Sequence, residues 1–406
     1  MRQLAYFTGT FPALSETFVQ REVQFFHEKG IAVTVFAVRR PSPPVGSEIA
    51  PHCPVLYANP DLVIRSLWTN INHVILCPRR YFRCLKMIVR QTGEFPIPVV
   101  FKMVNHLYAA VAFLPILKKK GITHIHAHFS TASTMALFCH IFTQITFSLT
   151  AHASADIYTQ PLLLSEKLKH AALIVPISKY NESYLNLLTQ YQYRNKMKVI
   201  YNGVEIDREF SYIVAQKKSL EFISVARLDY FKGFTVLLEA LAILVQSRSN
   251  FHLTIIGEGP LRPVIERLIT EHRLNEHVHL RGALPYTEVK KSMSRADIFI
   301  LASEIYLNGI RDGMPTVCTE AMSLGIPVVT TYVSGIPELI ENGISGLLVP
   351  EKNPEALAAA LARLMDNPQE RIDLARNGYL RVKKLFNRTV TLDTLYNLIV
   401  PYLREE

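Results

Sequence analysis

No two of the five cysteines (Cys53, Cys77, Cys84, Cys139 and Cys318) form a C-x-x-C pair, and their spacing suits no metal site. An odd, dispersed set of thiols excludes a disulfide framework and points to a reducing compartment. Asp-x-Asp is absent, and no acidic cluster offers to hold a divalent ion. The apolar stretch before Gly9 is too short for a signal peptide, so a cytoplasmic protein is expected. Long uncharged runs are also missing. The most hydrophobic window, residues 97–117, is interrupted by Lys102, Asn105 and His106 and bracketed by Pro98 and Pro115. A spanning helix needs about 20 largely uncharged residues, so a buried or interfacial helix is expected there. Charged residues make up only 19% of the 406 and hydrophobic ones 49%, which excludes a disordered chain and suffices for two domains.

What charge there is lies unevenly. The formal net charge is +10, and residues 62–120 hold ten basic side chains against Glu94 as the one acid. Arg65, Arg79, Arg80, Arg83, Lys86, Arg90 and Lys102 interleave there with Trp68, Tyr81, Phe82, Phe95 and Phe101. Such a segment suits an anionic membrane surface, where each cation contributes on the order of 1 kcal/mol. A solvated helical face over a buried one accounts for it equally well. No nucleic-acid motif accompanies the charge, so nucleic acid is not an expected partner.

Short apolar runs alternate with turns and helical stretches, which signals parallel α/β layers. Strands are predicted at 4–8, 31–38, 122–126, 146–150, 173–177 and 198–201. After an interdomain linker at 205–219, further strands follow at 220–226, 253–256, 278–280, 298–301 and 328–330. Ser15 is expected to cap the first helix, which Gly30 ends. The organisation expected is a first domain over 1–204 with the basic insert 62–120, a second over 220–386, and a last segment, 387–406, packing back on the first. Two βα domains facing a cleft would bind ligands beyond the carboxyl ends of their strands.

The motifs fall at those ends. Arg227 and Lys232 follow a strand and precede a helix, where two cations can stabilise a departing diphosphate. Two surface cations in a loop are the plain alternative. Asp312 and Glu320 flank Gly313, Met314, Pro315 and Thr316. Proline suits a first helical position, and N–H groups of Met314 and Thr316 would then face an anion at a helix start. Gly313 allows close approach. Glu320 can accept from a ribose diol and Asp312 from sugar hydroxyls. Gly257 and Gly259 make a glycine turn after a strand, but position 262 is Arg where a dinucleotide fingerprint has its third glycine. Gly9 opens a similar loop. His124, His126 and His128 share one strand face; with no carboxylate or cysteine beside them in sequence, core histidines are expected rather than metal ligands. His152 follows a strand directly, placed to bond a sugar or stabilise developing charge.

These residues resemble a known family. Val225–Gly233, Gly257–Pro260, Asp312–Glu320 and Val333–Glu338 look like the group 1, glycogen-synthase-like retaining glycosyltransferases of GT-B fold. Phe11–Phe18, His126–Phe129 and Thr150–His152 are similar to the branch that includes colanic-acid and other exopolysaccharide enzymes. The resemblance covers nearly the whole chain apart from residues 45–120. It implies that Arg227 and Lys232 bind the donor diphosphate, Glu320 the ribose, and His152 the donor sugar. The first carboxylate of the family's paired-glutamate motif falls on Asp312, one methylene shorter. It further implies transfer with retention and without metal or cofactor, the leaving phosphate helping to deprotonate the acceptor. The substrates expected are a nucleoside-diphosphate hexose, with UDP favoured over GDP, and a saccharide or lipid-linked oligosaccharide; the basic segment motivates the lipid, and with it a place on the inner face of the membrane. A nucleotide-sugar 2-epimerase and a non-catalytic nucleotide-sugar-binding protein are the rival readings.

Overall fold

The computed structural model describes residues 2–13, 16–41, 53–58, 66–91, 94–159, 161–207, 209–210 and 218–403. Ser15, Arg65 and most of the expected linker lie outside them. The chain divides into two compact units. The first comprises Met1–Ile177, Asn181–Ile200 and Leu392–Glu406, the second Ser178–Tyr180 and Tyr201–Thr391.

The first unit begins β1 (Gln3–Thr10), α1 (Thr17–Glu28), β2 (Ala32–Arg39) and β3 (Val55–Tyr57). Three helices follow, α2 (Leu67–Leu76), α3 (Pro78–Val89) and α4 (Ile97–Lys119). Then come β4 (His124–His128), α5 (Phe129–Thr143), β5 (Thr146–Ala151), α6 (Ser154–Ile157), α7 (Leu164–His170), β6 (Leu173–Pro176) and α8 (Lys179–Leu188). All six strands pair in parallel in the order 3-2-1-4-5-6. Side chains of a strand alternate between faces, and β1 shows it. Leu4 and Tyr6 enter one core with Phe26 of α1, while Ala5 and Phe7 enter the other with Phe113 of α4 and Phe138 of α5. A sheet buried on both faces favours apolar residues at nearly every strand position, as in β6; β4 and β5 instead place His, Ser and Thr on one buried face, where they hydrogen-bond one another.

The second unit repeats the order. Its elements are β7 (Leu220–Val225), α9 (Phe234–Leu244), β8 (Phe251–Ile256), α10 (Arg262–Glu271), β9 (Val278–Leu280) and α11 (Tyr286–Met293). They continue as β10 (Ile298–Leu301), α12 (Thr316–Ser323), β11 (Val328–Thr331), α13 (Ile336–Leu339), β12 (Leu347–Val349), α14 (Pro354–Asp366) and α15 (Pro368–Leu385). The parallel sheet runs β9-β8-β7-β10-β11-β12, so its order reverses between β7 and β10. The last helix, α16 (Arg388–Ile399), places Leu395 and Ile399 in the Tyr6 core of the first unit.

Residues 198–201 form no strand. Lys198 and Ile200 donate their N–H groups to Ile174 and Pro176 carbonyls, an edge segment laid on β6 without a ladder. The predicted strand at 122–126 sits two residues later, so His128 is a strand residue too. Gly9 lies inside β1 rather than in a turn. In α4, Met103, Leu107, Phe113 and Leu117 are buried, whereas Ile97 and Phe101 are exposed. By length and composition α4 could cross a membrane, yet 50% of its most apolar window is buried inside the protein.

Candidate functional site

The loop leaving β7 closes into a 3₁₀ turn, Tyr230–Lys232, opened by Asp229, whose carboxylate accepts the Tyr230 N–H at 3.1 Å. Gly233 ends it at φ 66°, where a Cβ would collide with the Ala302 carbonyl. That turn aims Lys232 inward: its Nζ stands 2.5 Å from Asp312 Oδ1, and Ser303 Oγ donates to Asp312 Oδ2 at 2.6 Å. The two charged side chains are only 15% and 11% exposed. Asp312 follows β10 and Lys232 follows β7, the central neighbours where the strand order reverses. Open α/β sheets bind ligands at such a switch point.

The glycine turn after β8 packs against this loop. A Cβ at Gly257 would strike the Ala226 carbonyl, and one at Gly259 the Leu228 carbonyl. The glycines thus let two loops lie backbone to backbone. Gly335 approaches the Asp312 loop in the same manner: its N–H donates to the Gly313 carbonyl at 2.8 Å, and a Cβ on it would strike that oxygen. Pro315 is the cap of α12 and not its first residue, so Thr316 begins the helix. The N–H groups of Met314 and Thr316 meet no acceptor among the described residues. Unpaired N–H groups at a helix start favour an anion.

Of the four side chains expected to converge, Lys232 and Asp312 meet. Glu320 lies on α12 beyond Cys318 and lines a hollow with Glu205, Tyr286 and Lys290. Burial drives the Cys318 thiol well up; Asp312 and Glu320 add to the rise and Lys232 opposes it, so all three charges are felt there. Arg227 turns outward instead, 68% exposed and paired with Asp229. Sequence reading missed Ser303 and Asp229. The signal for each was a polar residue one or two places past an apolar strand or a motif cation.

In the first unit, His124, His126 and His128 project from one face of β4, all fully buried. His124 lies between Thr146 Oγ1 and Ser148 Oγ, each at 2.8 Å. His126 bonds Ser148 Oγ at 2.7 Å and Thr150 Oγ1 at 3.1 Å. A carboxylate does approach them, contrary to the sequence expectation. Glu22 Oε2 stands 3.0 Å from His128 Nε2 and 3.9 Å from His126 Nε2. It comes from α1, 106 residues away. Glu22, His126 and His128 could together offer three ligand atoms, but every ring nitrogen of both histidines already has a hydrogen-bond partner. His152 directly follows β5 and is buried against Phe129 and Phe18, with ring centroids 4.5 and 5.0 Å away. Its Nε2 lies 3.1 Å from His128 Nδ1, and its backbone N–H donates to Asp156 Oδ2 at 3.3 Å. Burial holds His126 and His128 down to about 3 and His152 well below the usual histidine range.

Residues 205–381 match the family described as Glycosyl transferases group 1, and residues 15–208 match Glycosyltransferase Family 4. The amylovoran biosynthesis glycosyltransferase AmsK of Erwinia amylovora is 28% identical across 98% of this chain and 99% of its own. A putative colanic acid biosynthesis glycosyltransferase, WcaL of Escherichia coli, is 38% identical over 51% of each chain. Anabaena HepE, solved with UDP, superposes with a TM-score of 0.74 at 16% identity, covering 99% of this chain and 100% of that one. Sucrose-phosphate synthase of Thermosynechococcus elongatus gives 0.75 at 20%, with 99% of each covered. At those identities the structures speak for the GT-B fold alone.

Proposed function

The chain belongs to the group 1 glycosyltransferases, and from that premise we propose that it moves a hexose from UDP-hexose to a lipid-linked oligosaccharide during exopolysaccharide assembly. The observation that carries the donor half is the Lys232–Asp312 pair at the switch point of the second sheet, beside the unpaired N–H groups that open α12. A pyrophosphate needs cations and N–H donors, and the sugar's hydroxyls need an acceptor. Lys232 and Arg227 take the phosphates; Arg227, exposed and paired with Asp229, has to leave that partner to do so. Glu320 takes the ribose and Asp312 the transferred sugar; in the first unit, His152 is assigned to a sugar hydroxyl. With cations and helix-start amides facing the leaving group, its charge is stabilised without a metal, and transfer proceeds with retention. UDP takes its support from HepE, a protein of like fold solved with UDP and with UDP-glucose, and the exopolysaccharide setting from AmsK and WcaL, whose names place them in amylovoran and colanic acid biosynthesis.

The lipid half rests on α2 and α3. Trp68, Ile75, Leu76 and Phe82 are exposed alongside Arg79, Arg83 and Lys86. We assign this face to an anionic membrane surface on the cytoplasmic side, where the acceptor's lipid would reside.

A thermal-shift series with UDP-, GDP- and ADP-sugars, paired with an assay for released nucleoside diphosphate, tests the proposal. UDP-hexoses should raise the melting temperature, and free UDP should accumulate when acceptor is supplied. A melting temperature unmoved by every UDP-sugar overturns it. Release of an epimerised free sugar without acceptor would identify an epimerase instead.

A further inference from the structure

Glu22, His128 and His152 form a continuous buried hydrogen-bonded row: Glu22 Oε2 to His128 Nε2 at 3.0 Å, then His128 Nδ1 to His152 Nε2 at 3.1 Å. A neutral imidazole carries one N–H and one bare nitrogen. The far end of the row therefore depends on the near end. We propose that Glu22, acting through His128, decides which ring nitrogen of His152 carries the proton, and so whether His152 accepts from or donates to a bound sugar hydroxyl. This rests on the reading of His152 given above.

With Glu22 a carboxylate, His128 Nε2–H donates to it, which leaves His128 Nδ1 bare. His152 Nε2–H then donates to that nitrogen, and His152 Nδ1 is an acceptor. It makes no hydrogen bond among the described residues. With Glu22 protonated, the row reverses. One proton enters at His152 Nδ1, the Nε2 proton of His152 passes to His128 Nδ1, and the Nε2 proton of His128 passes to Glu22. Both rings are neutral before and after, and one proton has been taken up. Glu22 is thus a positioning residue.

Burial pushes Glu22 up to about 7, opposed by His126 and by its bond from Tyr6. Tyr6 of β1 and His126 and His128 of β4 are the titratable groups facing it. Asp156 stands at the His152 backbone, and Glu16 feels Asp156 from the start of α1. The reversal accordingly falls near neutral pH.

Long-range ¹H–¹⁵N correlation on the full chain labelled at histidine nitrogen tests this, His152 being assigned by signals lost in His152→Asn. In the wild type, His152 should be protonated at Nε2 at pH 8.5 and at Nδ1 at pH 5.5. In Glu22→Gln, with Tyr6 still donating to the amide oxygen at 3.2 Å in the parent geometry, it should stay at Nε2 at both. Tyr6→Phe, which removes the bond that lowers Glu22, should move the crossover to higher pH. One tautomer at both pH values in the wild type, or a crossover that survives Glu22→Gln, overturns the proposal. The measurement needs neither ligand nor turnover, so it fails independently of the donor assignment.

Discussion

At the scale of single residues, Lys232 and Arg227 behave as opposites although five positions separate them. Lys232 is shielded and paired with Asp312, so removing it leaves a buried carboxylate uncompensated, which costs about 3–5 kcal/mol in such settings. Lys232→Ala should therefore lose stability as well as donor turnover, the latter by about 10² or more, since a cation facing the leaving phosphate is lost. The double variant with Asp312→Ala separates the two effects when UDP binding is read, since UDP carries the phosphates but no sugar for Asp312. Its urea midpoint should recover while UDP still binds weakly; recovery of UDP binding as well would take Lys232 out of the phosphate site. Arg227 is exposed, and its pair with Asp229 is worth at most about 1 kcal/mol. Arg227→Ala should leave the urea midpoint nearly unchanged and still reduce turnover. Sequence reading placed Lys232 and Asp312 at one site because each lies in a loop between an apolar strand and the next helix. It could not foretell Arg227's outward turn, which depends on Asp229 two residues later, or Glu22's arrival beside the histidines from α1.

At the scale of elements, length alone does not decide what sequence shows. Three-residue β9 was legible at 278–280, whereas β3 and β12, equally short, were not. The run at 198–201 looks like a strand because Val199 and Ile200 are β-branched and apolar, yet it makes only edge hydrogen bonds to β6. Glycine turns were legible as turns but not in their purpose. Gly257 sits at φ 150° with the Ala226 carbonyl where a Cβ would go. Gly257→Ala should destabilise the second unit by roughly 1–3 kcal/mol through forced separation of the two loops, seen as a lower melting temperature. An unchanged melt would mean the loops are not packed in this way. Helices α2 and α3 carry the other element-scale expectation. If exposed Trp68, Leu76 and Phe82 with Arg79, Arg83 and Lys86 meet an anionic bilayer, co-sedimentation with anionic vesicles should fall steeply as salt rises. Binding that ignores both salt and lipid charge would remove the membrane assignment.

At the scale of the whole molecule, two units share one strand order but not one buried chemistry. The first carries His106, His124, His126 and His128 held down to about 3, with His152 also lowered, all chiefly by burial. An unfolded chain protonates these rings below 6.5 while the folded one does not until about 3, so falling pH favours unfolding across that window. Glu16 and Glu22, raised to about 7, and Asp156, raised to about 6, act the other way. Their folded forms bind protons that unfolded carboxyls do not, which stabilises the fold as pH drops through those values and reaches its full extent near 4. Five rings oppose three carboxyls between 6.5 and 4.5, and below that the rings act nearly alone. The first unit should consequently loosen before the second on acidification. Amide hydrogen exchange at pH 7 and pH 5, corrected for intrinsic rates, should show β4 and β5 losing protection while β7 and β8 keep theirs. Equal loss in both sheets would mean that the buried histidine row does not govern acid stability.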